Sequence, residues 1–318
     1  MRSLVLMICV CLLLGAAVPA PAAEYPVKPI QVVVPWKPGG GSDISARIIG
    51  DHLKDILPQP FVIANIDGAA GLNGALQVFK ARPDGYTLLW EHPGNLAVAP
   101  MVTKAEFTWK NFDPVCIAAK GDTALIVRKD SPYKTATEAL RAIMDAPGKV
   151  RWVLAPNAVS HFTFLSISDA VGGLKPMIIP GSGDKDRIVA LLGNNGDIST
   201  VGYAAAEPYV KSGDLRILAM VNSERSPFAP DIPTLKEQGV GASYDFLYSV
   251  FAPKGTPAEV KKLLADSLKK AIDDPTTQKA LREQAIEPYF RGLDDMAKLW
   301  EAEDTLYHRL AKVNGLIQ

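Results

Sequence analysis

Ile30-Gln31-Val32-Val33-Val34 runs into Pro35-Trp36-Lys37-Pro38-Gly39-Gly40-Gly41-Ser42-Asp43, and from Asp43 to Leu57 the periodicity changes. The first five residues are a near-continuous apolar run, the pattern of a strand buried on both faces. Beyond the glycines, Ile44, Ile48, Ile49, Leu53 and Ile56 fall within one half of a helical surface, so the spacing predicts an amphipathic helix that Pro58 stops. Two further strand–helix units follow. They are Phe61-Val62-Ile63-Ala64 with a helix from about Leu72 to Ala81, and Tyr86-Thr87-Leu88-Leu89-Trp90 with a segment of no clear period after it. Apolar strands separated by helices predict a parallel sheet covered on both faces.

The middle of the chain repeats the pattern. Strands are expected at 124–127, 152–154, 177–179, 198–200 and 217–221, with helices at 136–144, 160–171, 188–192 and 205–211. Two such sheets imply two lobes. After Tyr248-Ser249-Val250-Phe251 the pattern is helical at 258–273, 276–285 and 293–313. If those helices cover the first lobe, the chain crosses between lobes twice. Lobe I is then residues 23–122 and 247–318, and lobe II residues 123–246. An α/β chain of this kind has a hinged cleft, and in open α/β sheets ligands sit beyond the carboxyl ends of the strands.

Composition narrows the function. The 34 basic and 34 acidic residues cancel, leaving no cationic surplus to neutralise a phosphate backbone, so nucleic acid is not an expected partner. Arg2 precedes an uninterrupted apolar or small run from Leu4 to Ala17, followed by Val18-Pro19-Ala20-Pro21-Ala22-Ala23. This reads as a secretory signal peptide over residues 1–22, with cleavage before Ala23 or, alternatively, Glu24. The run is short for a hydrocarbon core of about 30 Å. Cleavage removes Cys9 and Cys11, so only Cys116 remains and no internal disulfide can form. Its apolar setting, Val115 to Ala119, points to a buried, inert thiol.

Three glycines ahead of a helix let backbone N–H groups approach an anion, and the helix dipole favours negative charge there. The second strand enters a similar loop, Asn65-Ile66-Asp67-Gly68-Ala69-Ala70-Gly71-Leu72-Asn73-Gly74-Ala75. A purely structural reading, glycine turns with Ser42 or Asp43 as N-cap, stays open beside the anion site. No G-x-x-x-x-G-K-[ST], no G-x-G-x-x-G after either strand and no G-x-S-x-G occurs, so the motifs of nucleotide binding and of hydrolases are missing. Ser160 beside His161 is adjacency rather than a triad, and His161 reads as structural or ligand-contacting. His52, His92, His161 and His308 lie far apart, so no metal and no cofactor are expected.

These loops carry a resemblance. YPVKPIQVVVPWKPGGGSDISARIIGDHL from Tyr25, the later VIANIDGAAGLNGA and then ARPDGYTLLW are similar to the solute receptors of tripartite tricarboxylate transporters, the Bug proteins. Later blocks follow in the family's order: Leu191 to Ile198, Gly213 to Ala219, Pro230 to Gly239 and Ala252 to Pro257. The resemblance implies a monomeric periplasmic-binding-protein-like receptor that closes on a small organic carboxylate and delivers it to membrane permease subunits. A ligand-presenting receptor for a sensor kinase is the nearest alternative, and an exported hydrolase a more distant one. By carry-over, Pro38, Gly39, Gly40, Gly41, Ser42 and Asp43 wrap the carboxylate together with Asp67, Gly68, Ala69, Ala70, Gly71 and Asn73, while Ser160 and His161 sit on the facing lobe. Gly181 stands where these receptors often have Tyr and Leu247 where they often have Trp, so the far end of the pocket departs from the family pattern.

Overall fold

The computed structural model describes residues 25–317; the expected signal peptide lies outside the described residues. The amino-terminal elements are β1 (Ile30–Val34), α1 (Gly41–His52), β2 (Phe61–Asn65), α2 (Leu72–Phe79), β3 (Thr87–Glu91), α3 (Pro93–Thr103) and β4 (Phe112–Gly121). The middle holds β5 (Thr123–Arg128), α4 (Ala136–Asp145), β6 (Arg151–Leu154), α5 (Val159–Ala170), β7 (Met177–Pro180), α6 (Asp184–Leu192), β8 (Ile198–Gly202), α7 (Tyr203–Lys211) and β9 (Leu215–Met220). The remainder is β10 (Phe246–Pro253), α8 (Ala258–Asp273), α9 (Pro275–Glu283), β11 (Ile286–Arg291) and α10 (Leu293–Val313).

Two sheets result, of six strands in the order β11-β4-β10-β3-β1-β2 and five in the order β7-β6-β8-β5-β9. Both are mixed, which corrects the parallel sheets expected from the sequence. β1 pairs parallel with β2 and β3, and β6 with β7 and β8, but β10 is antiparallel to β3 and β4, and β5 to β8 and β9. The reason is topological. β4 leaves the first sheet for β5 through Asp122 alone, and the chain returns from β9 to β10, so adjacent strands must run opposite ways on leaving and returning. Asn222, 1% exposed, ties these passages together: its Oδ1 accepts from Thr123 N at 2.9 Å and its Nδ2 donates to Gly121 O at 3.4 Å.

Alternation along β1 divides the first lobe's core. Val32 and Val34 pack with Ile49 of α1 and Leu264 and Leu268 of α8, whereas Val33 packs with Phe251, Met296 and Trp300 on the other face. Helix α10 spans both lobes: Met296 and Trp300 join this core, while Tyr307, Leu310 and Ala311 join the second sheet's. Cys116 is fully buried, and burial pushes its thiol up, so it is inert. Three elements lacked a sequence signal. Helix α3 is buried from Pro93 to Pro100 and shows no amphipathic stripe, β4 shows in the sequence only as the apolar setting of Cys116, and β11 contains Pro288 at a sheet edge. Among the described residues no helix is long and apolar enough to cross a membrane.

Candidate functional site

Of the six strands in parallel pairs, β3 leads into α3, while β1, β2, β6, β7 and β8 deliver the chain, at their carboxyl ends, to the amino termini of α1, α2, α5, α6 and α7. The residues before these helices are Gly40, Gly71, Ala158, Gly183 and Gly202, and none of the five is capped by a side chain. His92, Thr135 and Asp274 cap α3, α4 and α9, whereas α8 and α10, which follow antiparallel strands, are uncapped as well. An uncapped terminus leaves its first amides without intrahelical partners, and those amides favour an anion.

Helix α1 begins at Gly41, two residues before the expected start, and its first helical bond runs from Ile44 N to Gly40 O at 2.9 Å. The amides of Gly41, Ser42 and Asp43 therefore precede the ladder. Neither Ser42 nor Asp43 is the N-cap. Asp43 instead turns its carboxylate to the protein: Oδ2 accepts from Gly39 N at 2.9 Å, and Oδ1 from Arg47 Nε at 2.9 Å and Asn65 Nδ2 at 3.0 Å. Burial opposes ionisation, but hydrogen bonds from Arg47, Gly39 and Asn65 hold that carboxyl below its ordinary value. Ser42 is buried, whereas Pro38, Gly39 and Gly40 are exposed. Gly41 is required by close approach, because a Cβ there would stand 2.1 Å from Tyr248 Oη.

The second loop is a left-handed turn. Gly68, Ala69, Ala70 and Gly71 have φ of 114°, 49°, 55° and 89° in succession, although alanine ordinarily avoids that region. Asn95 Nδ2 holds it by donating to Ala70 O at 2.8 Å, and Asn73 Nδ2 donates to Asp67 O at 3.2 Å. The two loops are locked to each other: Asn65 Nδ2 donates to Trp36 O at 3.0 Å, and a Cβ on Gly74 would meet Pro35 Cβ at 2.7 Å. Beneath them Glu91, fully buried, accepts from Trp36 Nε1 at 3.1 Å and from Asn95 Nδ2 at 3.3 Å. Burial pushes its carboxyl up to about 8 against bonds from His92 N, Trp36 and Asn95, and pushes the His92 imidazole down to about 3.

On the second lobe Ser160 is buried in the first turn of α5, where its Oγ accepts from Ala155 N at 3.0 Å. His161 is half-buried and Nδ1 accepts from Asn157 N at 3.3 Å, so the neutral ring keeps its proton on Nε2, and burial lowers its pKa. The lobes meet here. Burial together with the Asp184 and Asp122 charges raises the Tyr248 phenol, and the Lys37 charge helps to hold Asp186 of α6 low after the Ser182 hydroxyl bond. The expected residues thus fall into two groups, 38–43 with 67–73 on one lobe and 160–161 on the other. The sequence reading missed the Trp36–Glu91–Asn95 brace, Tyr248 and Arg187. A charged residue ending an apolar strand marks Glu91, and one sharing a helical face with Ile188 and Leu191 marks Arg187.

Residues 45–316 match the family described as "Tripartite tricarboxylate transporter family receptor". The chain is 34% identical over 294 residues to the "UPF0065 protein in gbd 5'region" of Cupriavidus necator, covering 89% of this chain and 87% of that one. It superposes on the periplasmic binding protein BugD with a TM-score of 0.81 at 26% identity, covering 92% and 99% of the two chains. It also superposes on a Rhodopseudomonas palustris protein solved with adipate, with a TM-score of 0.83 at 27% identity and coverage of 92% and 99%. With two α/β lobes, helix ends left uncapped in both and a family match over most of its length, the chain belongs to the tripartite tricarboxylate transporter receptors, the Bug-type periplasmic solute-binding proteins.

Proposed function

We propose that this receptor binds a small organic carboxylate between its lobes and, closed around it, docks on the membrane permease of its transport system. Residues 23–122 with 247–318, and residues 123–246, are taken as the lobes that close, α10 spanning both. Loop amides of 38–43 and 67–73 hold the carboxylate, and Ser160 and His161 meet the ligand from the other lobe. Asp43 serves by shaping the first loop, since its carboxylate is already spent on Gly39, Arg47 and Asn65. The observation carrying this reading is the set of five uncapped helix amino termini at the ends of parallel strands of both sheets. Adipate on a structural neighbour agrees with it. The protein acts as a monomer in the periplasm after residues 1–22 are removed.

The test is thermal unfolding of purified protein with a panel of mono- and dicarboxylic acids and their amides. A native-state ligand at 100 times its dissociation constant adds about 2.7 kcal/mol. Acids should raise the melting temperature and amides should not. Stabilisation by neutral sugars, with no response to any acid, would overturn the reading.

A further inference from the structure

Arg187 lies in the first turn of α6 and is only 8% exposed, yet its guanidinium is poorly satisfied. Nη2 pairs with Asp184, three residues earlier on the same helix. Nη1 has two long contacts, 3.4 Å to Ser182 O and 3.5 Å to Ser160 Oγ, and Nε is buried with no partner. A guanidinium carries five donors, and made N–H···O bonds span about 2.7–3.2 Å, so most of this fork is idle. A buried cation left in that condition costs free energy.

Its surroundings are polar and hold charges of both signs. Ser160 stands at the amino terminus of α5, and Gly202, which precedes α7, donates its amide to Asp184 Oδ2 at 3.2 Å. Asp184 thus takes both the Arg187 guanidinium and the amide that precedes α7. Asp186 is exposed and taken by the Ser182 hydroxyl and the Gly183 amide. Arg187 packs directly against Gly181: a Cβ there would lie 2.8 Å from Val153 Cγ1 and 3.0 Å from Arg187 Cγ, so any larger residue at 181 would displace the Arg187 stem.

We propose that Arg187, packed against Gly181, is a specificity-determining residue that pairs with a second anionic group of the ligand from the second lobe's side of the cleft. The proposal rests on the carboxylate reading above and narrows it to acids with two anionic groups. Calorimetry would compare linear diacids from succinate to pimelate, their monoamides and the monoacids of equal carbon number, on wild type, Arg187→Met and Gly181→Ala. In wild type the best diacid should bind at least tenfold tighter than its monoamide and its monoacid. Arg187→Met should shrink that preference to about threefold or less while leaving monoacid affinity nearly unchanged, and Gly181→Ala, which keeps the charge but crowds it, should shrink it in part. Circular dichroism checks the fold; if Arg187→Met does not fold, Gly181→Ala decides. A preference that survives substitution, or equal binding of diacid and monoacid by wild type, overturns the role of Arg187 and leaves the carboxylate reading standing. Failure of every acid to bind overturns both.

Discussion

Gly41→Ala places a methyl carbon 2.1 Å from Tyr248 Oη and 3.0 Å from Cζ. An ordinary contact is about 3.5–4.0 Å, so either the phenol or the first turn of α1 must retreat by roughly 1 Å or more. Tyr248 is hemmed in, because Gly121 also lies beneath it, with a Cβ position 2.9 Å from the same hydroxyl. We predict that the helix terminus yields, pulling the amides of Gly41, Ser42 and Asp43 off the ligand. One hydrogen bond to a charged group is worth about 1.5–3 kcal/mol, so affinity should fall at least about tenfold, or 1.4 kcal/mol. Gly41→Ala/Tyr248→Phe deletes the offending oxygen and should recover much of the loss. Gly40→Ala is the control for folding: its φ is −86° and the nearest atom to a Cβ is Lys37 O at 3.8 Å. Calorimetry with the tightest acid, alongside circular dichroism, measures all four proteins. A Gly41→Ala protein that binds within about twofold of wild type, or a double variant no better than the single one, refutes the reasoning.

Three further predictions concern the loops and their support. Ala70→Gly should raise stability by about 1 kcal/mol in denaturant titration, because alanine bears a left-handed φ of 55° that glycine adopts freely. Glu91→Gln should stabilise the protein at pH 8, on the order of 4 kcal/mol, and change little at pH 4, measured by urea unfolding at each pH. The folded carboxyl sits near 8 against an ordinary 4.5, so between those values the native state keeps a proton the unfolded chain has lost, and stability falls as pH rises. Lys37→Ala removes the exposed cation that faces Asp186, and its loss of acid affinity by calorimetry should be smaller than that of Gly71→Val, whose side chain would enter at φ 89° within 2.9 Å of Asn95 Nδ2.

Periodicity made the two lobes legible because each sheet has a core of parallel strands whose runs, such as Val32-Val33-Val34, are apolar on both faces. It could not show the antiparallel joins, since strand direction depends on the route of the chain through Asp122 and back from Met220 to Phe246 rather than on local composition. The glycine loops were visible as loops, and their order in sequence located one side of the cleft. What they do mechanically was hidden. Nothing in Asp67-Gly68-Ala69-Ala70-Gly71 marks a left-handed turn carried by two alanines, because the stabilising Asn95 amide comes from another helix. Asp43 looked like a cap and proved to be a clasp, a distinction set by its contacts with Gly39 and Asn65, which lie on either side of it in the chain.

The central claim is that backbone amides of the paired loops hold a carboxylate. Amide chemical shifts of the nitrogen-15-labelled protein, followed as an acid and then its amide are titrated, test it most directly. The account predicts that Gly41, Ser42, Asp43, Ala69 and Ala70 shift with the acid, saturate at the calorimetric dissociation constant and stay in place with the amide. Saturable acid binding that leaves those five amides unmoved while shifts gather elsewhere would contradict it.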